Sequence, residues 1–155
     1  MIGVVAELSK DFIEFRATYM SSQLDRTING VITEQNVKQV FSGLSINLYY
    51  YDFIFLSEYN HYHRVASDIH VDTNMVSLAY EYKKFTSHIT RSTFQQKANL
   101  AGGDEDHSTT SIGLRWYVND STSLKIQLDK VDDEGVMIPV VGDSKVISMG
   151  VDIVF

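Results

Sequence analysis

The chain has 155 residues, 44% of them hydrophobic, and 20 acidic side chains against 13 basic ones give a formal net charge of -7. That balance fits a folded protein and argues against a nucleic-acid partner, whose binders display clustered Lys and Arg. No apolar run approaches the roughly 20 residues that a membrane-spanning helix needs, but a hydropathy window is blind to membrane strands, which cross with about 9–11 residues apolar only at alternate positions.

Nine Tyr and eight Phe stand against a single Pro, which favours strands and an all-β class. There is no Cys, which suits a protein in an oxidising compartment without disulfides and many cytosolic proteins alike. The amino end, MIGVVAELSKDF, has neither a basic region nor an apolar stretch of signal-peptide length, so either a signal has been removed or the chain is part of a longer protein.

In DFIEFRATYM, Ile13, Phe15, Ala17 and Tyr19 alternate with Glu14, Arg16 and Thr18, the period-two pattern of a first strand. The polar stretch of residues 21–39, with an Asn29-Gly30 turn signal and no sustained period, reads as a long loop. A second strand in VFSGLSINLYY sets Leu44, Ile46, Leu48 and Tyr50 on one face. A tight turn at Tyr51-Asp52 leads into a third, DFIFLSEYNHYH, with Phe53, Phe55 and Tyr59 on one parity and Glu58 on the other. After the link RVASDIH, Val76, Leu78, Tyr80 and Tyr82 alternate with Ser77, Ala79 and Glu81. The turn Lys83-Lys84 opens FTSHITRSTF, whose facing is ambiguous because Ile89 and Arg91 share a parity. A Gly-rich acidic loop, residues 95–110, precedes SIGLRWYV, where Ile112, Leu114 and Trp116 oppose Gly113 and Arg115. A short turn at residues 119–121 then leads to a strand in which Leu124, Ile126 and Leu128 alternate with Lys125, Gln127 and Asp129. A last loop, VDDEGVMIPVVGD, leads to the terminal strand VISMGVDIVF.

About eight strands are thus expected, with connections alternating between long and tight. In an up-and-down barrel this puts loops at one end and turns at the other, as in outer-membrane barrels. Alternation alone leaves open whether the apolar face meets a protein core or lipid, because a soluble barrel has the same period. Aromatic residues gather near the tight turns, at Tyr49, Tyr50, Tyr51, Phe53 and Phe55, at Tyr80, Tyr82 and Phe85, and at Trp116 and Tyr117, where their rings suit a lipid–water interface.

The ending VISMGVDIVF, with Phe155 preceded at alternate places by Ile153, Val151 and Met149, resembles the C-terminal signal by which the assembly machinery of Gram-negative bacteria recognises outer-membrane proteins. SIGLRWYVNDSTSLKIQLDKV is similar to the penultimate hairpin of bacterial porins, including the phosphate- and anion-selective type, and DFIEFRATYM and FIFLSEYNHY resemble porin strands with an inward carboxylate. The resemblance covers nearly the whole chain in pattern and about the last forty residues in motif. It implies one antiparallel transmembrane β-barrel domain over residues 1–155, located in the outer membrane, or the C-terminal half of a larger barrel of about 16–18 strands. Its implied partners are outer-membrane lipid and lipopolysaccharide, the barrel assembly machinery, and small solutes or ions, with a homotrimer left open; it implies no cofactor and no enzymatic activity.

Under this reading, Glu14, Arg16, Glu58, Glu81, Arg115, Lys125 and Asp129 form the lumen field of a channel for passive diffusion. The alternatives are a sealed network of ion pairs inside a small, non-conducting barrel, and a structural or adhesive role for the external loops. A third class of function rests on His61, His63, His70 and Asp72, which pairing would gather near the loop end, where they suit a metal or resemble the Asp and His residues on the rim of outer-membrane proteases. The run Asp104, Glu105, Asp106 and His107 offers carboxylates for a divalent ion, against the blander reading of a solvated loop.

Overall fold

A computed structural model describes residues 1–99, 103–135 and 142–154. Apart from one 3-10 turn, Val65–Ser67, its regular elements are strands: β1 (Ile2–Lys10), β2 (Ile13–Ile28), β3 (Val31–Tyr50), β4 (Phe53–Arg64), β5 (Ile69–Tyr82), β6 (Phe85–Ala98), β7 (Glu105–Asn119), β8 (Thr122–Asp133) and β9 (Ser144–Ile153). They form one antiparallel up-and-down sheet in sequence order. Among the described residues β1 pairs only with β2 and β9 only with β8, so these nine strands do not close on themselves.

The all-β, up-and-down expectation holds, with three corrections. The amino end is a strand, which makes nine rather than eight. Its pattern is weak because Val5 shares the parity of Glu7 and Ser9, and pairing with β2 from Ile2↔Ser21 to Lys10↔Ile13 decides its conformation. The expected long loop of residues 21–39 is instead the outer arm of the β2–β3 hairpin, closed by Asn29 and Gly30. Both turn residues have positive φ, 50° and 79°, as a two-residue hairpin turn of the I′ type requires. Pairing with β1 stops at Ser21 and with β4 at Gln39, so beyond these residues the arm is a two-stranded ribbon. With no sheet on either side and no lipid to face, such a ribbon has no reason to alternate in hydrophobicity, which is why the pattern fades there.

Two-residue turns at Asp11-Phe12, Tyr51-Asp52, Lys83-Lys84 and Asp120-Ser121 all lie at one end. The other end carries the arm, the 3-10 turn and the connections that follow β6 and β8. The expected loop of residues 95–110 is mostly strand, because β6 runs to Ala98 and β7 begins at Glu105.

Register sorts the side chains into two faces. Ile13, Leu48, Phe55, Leu78, Ile89, Ile112, Leu128 and Ile147 stand in a single row across β2–β9. The rows beside it continue the band with Phe15, Ile46, Tyr80, Leu114, Ile126 and Met149. These side chains stay uncovered: Ile112 is 56% exposed and Met149 78%. Val37, on the arm, is the one buried hydrophobic residue among the described residues. A soluble sheet would bury such a face in a core, whereas a continuous apolar band with no core behind it is what lipid covers. At the turn end the band finishes in aromatic rings, with Phe53 and Tyr80 4.8 Å apart and Phe85 stacked with Trp116 at 6.1 Å. The ambiguous β6 is resolved as well. Ile89 lies in the band, and Arg91, two residues nearer the loop end on the same face, donates to Thr110 Oγ1 at 2.6 Å and Ser108 Oγ at 2.8 Å.

Candidate functional site: the polar face of the sheet

The face opposite the apolar band carries the charge. Cross-strand register puts Glu14, Arg16, Glu58, Glu81, Arg115, Lys125 and Asp129 all on it. One row runs Glu14, Asn47, Leu56, Ser77, Thr90, Ser111, Asp129, and another runs Glu81, Thr86, Arg115, Lys125.

Charge concentrates at the two flanks. On β7–β9, Arg115 and Lys125 are directly opposed, an arrangement of like charges that destabilises a sheet unless it is neutralised. Asp152 supplies the counter-charge: its Oδ2 accepts from Lys125 Nζ at 2.5 Å, Arg115 at 3.3 Å and Ser123 Oγ at 3.2 Å. The Arg115 guanidinium also lies 5.7 Å from the centre of the Tyr117 ring and donates to its hydroxyl at 3.4 Å. On β1–β3, Arg16 pairs with Glu7 at 2.6 Å, while Glu14 accepts from Asn47 Nδ2 at 3.2 Å and the Tyr49 hydroxyl at 3.3 Å. Between the flanks the groups are mostly neutral. Ser77 and Thr90 hydroxyls meet at 2.7 Å and Glu58 accepts from Asn60 at 2.7 Å, while on β8, within the flank, Gln127 donates to Asp129 at 2.8 Å. Gly113 lies under the His88 ring, which a Cβ at that position would strike.

The ion pairs therefore form with Glu7 and Asp152, neither of which the sequence singled out. Glu7 lies on the strand whose pattern was weak. Asp152 had a usable signal, because it is the charged residue on the polar parity of VISMGVDIVF. Of the expected assembly signal, Met149, Val151 and Ile153 share the apolar face of β9, and Phe155 lies outside the described residues.

At the loop end, on the band's side of the sheet, β4 and β5 place His63 opposite His70 and His61 opposite Asp72. His61 Nδ1 lies 2.8 Å from Asp72 Oδ1, which also accepts from the Tyr59 hydroxyl at 2.6 Å. The acidic run has local partners: Asp104 accepts from the backbone of Ala98, Asp106 accepts from Gln95, and Glu105 lies 3.5 Å from His107.

No protein-family model matches the sequence, and no curated protein does. Two solved structures are similar. One is a loop L8 deletion mutant of OmpT, an outer membrane protein of Vibrio cholerae, with a TM-score of 0.70 and 12% identity, covering 97% of this chain and 52% of that one. The other is in-vitro folded OmpT of the same organism in a trimer form, with a TM-score of 0.61 and 14% identity, covering 96% of this chain and 52% of that one. The chain thus spans about half the length of each. The likeness shows the fold, that of an outer-membrane β-barrel protein, and agrees with the outer-membrane location expected from the sequence. It identifies no porin family and no phosphate-selective type. One expectation is corrected here, the absence of enzymatic activity: the likeness to OmpT at 12% and 14% identity shows a fold, and that fold gives no ground for excluding catalysis.

Proposed function

We propose that the protein containing this chain is an outer-membrane channel for passive diffusion of small hydrophilic solutes or ions, with the polar face of β1–β9 lining part of its water-filled lumen. The observation that carries the reading is the division of faces, an apolar band across β2–β9 backed by a hydroxyl-rich face with Arg16, Arg115 and Lys125 among carboxylates. A small barrel sealed by internal ion pairs fits less well, because the nine strands do not pair end to end and the charged clusters sit on separate flanks of the sheet. In a lumen, fixed charges on low-dielectric walls bias which ions enter, and hydroxyls and amides replace part of a solute's hydration. Outer-membrane lipid, lipopolysaccharide and the barrel assembly machinery are the partners this role implies, and a homotrimer is its proposed assembly.

The test is planar-bilayer conductance of the full-length protein. Stable steps are expected, and Lys125→Glu should shift their selectivity toward cations by reversing the charge beside Asp152. Absence of conductance, or selectivity indifferent to Lys125→Glu, would overturn the reading.

A further inference from the structure

The loop-end histidines form a second cluster, separate from the lumen face. Asp68 follows the 3-10 turn in a left-handed conformation, φ 46° and ψ 45°, which turns its carboxylate back over the ends of β4 and β5. Asp68 Oδ1 lies 3.1 Å from His70 Nε2 and 3.5 Å from His63 Nε2. The carboxylate's other oxygen accepts from Asn99 Nδ2 at 2.6 Å. The His63 and His70 rings stack at 4.0 Å with 14° between their planes. His63 Nε2 is buried without a hydrogen-bond partner.

We propose that His63, Asp68 and His70 bind a divalent transition-metal cation of the zinc class. The three donor atoms, two imidazole nitrogens and one carboxylate oxygen, all lie within 4.8 Å of one another. With zinc–ligand bonds of about 2.0–2.2 Å, donors around a tetrahedral ion stand roughly 3.3–3.6 Å apart, close to the 3.1 and 3.5 Å that separate Asp68 from the two imidazoles, and binding requires the stacked His63 and His70 rings to turn so that both Nε2 lone pairs point at the ion. The mixed nitrogen and oxygen donor set suits zinc better than calcium or magnesium, which prefer oxygen alone. An ion would also give the orphaned His63 nitrogen a partner. Asn99 holds the carboxylate in place, as an outer-shell partner does. His61 and Asp72 are already engaged with each other and with Tyr59, and Lys97 stands opposite His70 on β6. The three ligands leave the fourth position to water and tie the β4–β5 connection to both strands.

Titrating the purified full-length protein in detergent micelles with Co²⁺ tests the site. One equivalent should bind with the visible absorption of a low-coordinate nitrogen–oxygen site, and Zn²⁺ should displace it. His63→Ala and Asp68→Asn should each weaken binding about ten-fold or more, whereas His88→Ala, on the opposite face, should leave it unchanged. Asp68→Asn keeps the size and position of a residue on an exposed turn, so its result stands even if His63→Ala impairs folding. Lack of a stoichiometric site in the unaltered protein, or affinity unmoved by Asp68→Asn, would overturn the proposal.

Discussion

At the scale of single residues, Asp152 shows how one side chain can license an otherwise unfavourable arrangement. Arg115 and Lys125 repel across β7 and β8, and both reach the same carboxylate oxygen from adjacent strands. The cluster is partly open to solvent, so its contribution is small. Asp152→Asn should lower stability only slightly, read as a small fall in the midpoint of urea unfolding. The same substitution removes one negative charge beside two cations, and bilayer recordings should show a shift toward anions, opposite in sign to Lys125→Glu. The two expected cations were visible as charges on a polar parity. Their partner was harder to find, because pairing between β8 and β9 depends on a register that the intervening loop does not encode in any local pattern.

At the scale of the strand, the two faces differ in what they tolerate. Ile126 and Gln127 are neighbours in β8, on opposite faces, and both lie mid-strand. Ile126→Lys puts an ammonium into the lipid-facing band and should cost about 2–4 kcal/mol if the site lies near the bilayer midplane. Gln127→Lys should stay within about 0.5 kcal/mol. Reversible unfolding in lipid vesicles would check both, and a larger cost for Gln127→Lys than for Ile126→Lys would mean that the faces have been assigned the wrong way round. Strands with a strong period, such as those containing Leu124, Ile126 and Leu128 or Val76, Leu78 and Tyr80, were legible because lipid demands apolar side chains at every second place. β1 and the β2–β3 arm were not. The arm beyond Ser21 and Gln39 has no strand on its outer sides, and nothing there forces alternation.

At the scale of the whole molecule, the sheet presents two environments and an unaltered background for testing them. The sequence has no Cys, so single introduced thiols report on their own positions. In intact cells, a charged, water-soluble thiol reagent should modify Thr90→Cys, which sits on the polar face between Ser77 and Ser111. Ile89→Cys, one residue away in the apolar row, should resist it. The reverse pattern would put the band in contact with water and remove the basis for a lumen on the polar face. The likeness to OmpT extends over about half of that protein, which fits a nine-stranded sheet whose outer strands pair on one side only.

Period-two hydrophobicity, aromatic residues near the tight turns and scarce proline determined by themselves that this chain is a set of antiparallel strands with one apolar and one charged face, because strand geometry leaves side chains only two directions. The seven charges named for the polar face follow from parity in the same way. Cross-strand register and closure were left to the tertiary structure. It decided that β1 joins the sheet, that residues 21–39 extend a hairpin, that Glu7 and Asp152 are the partners of Arg16 and Lys125, and that His63, Asp68 and His70 meet across a turn. The physical reason is the same in each case: these contacts join residues on different strands or across a turn, and a local pattern gives the facing of a side chain without giving its neighbour.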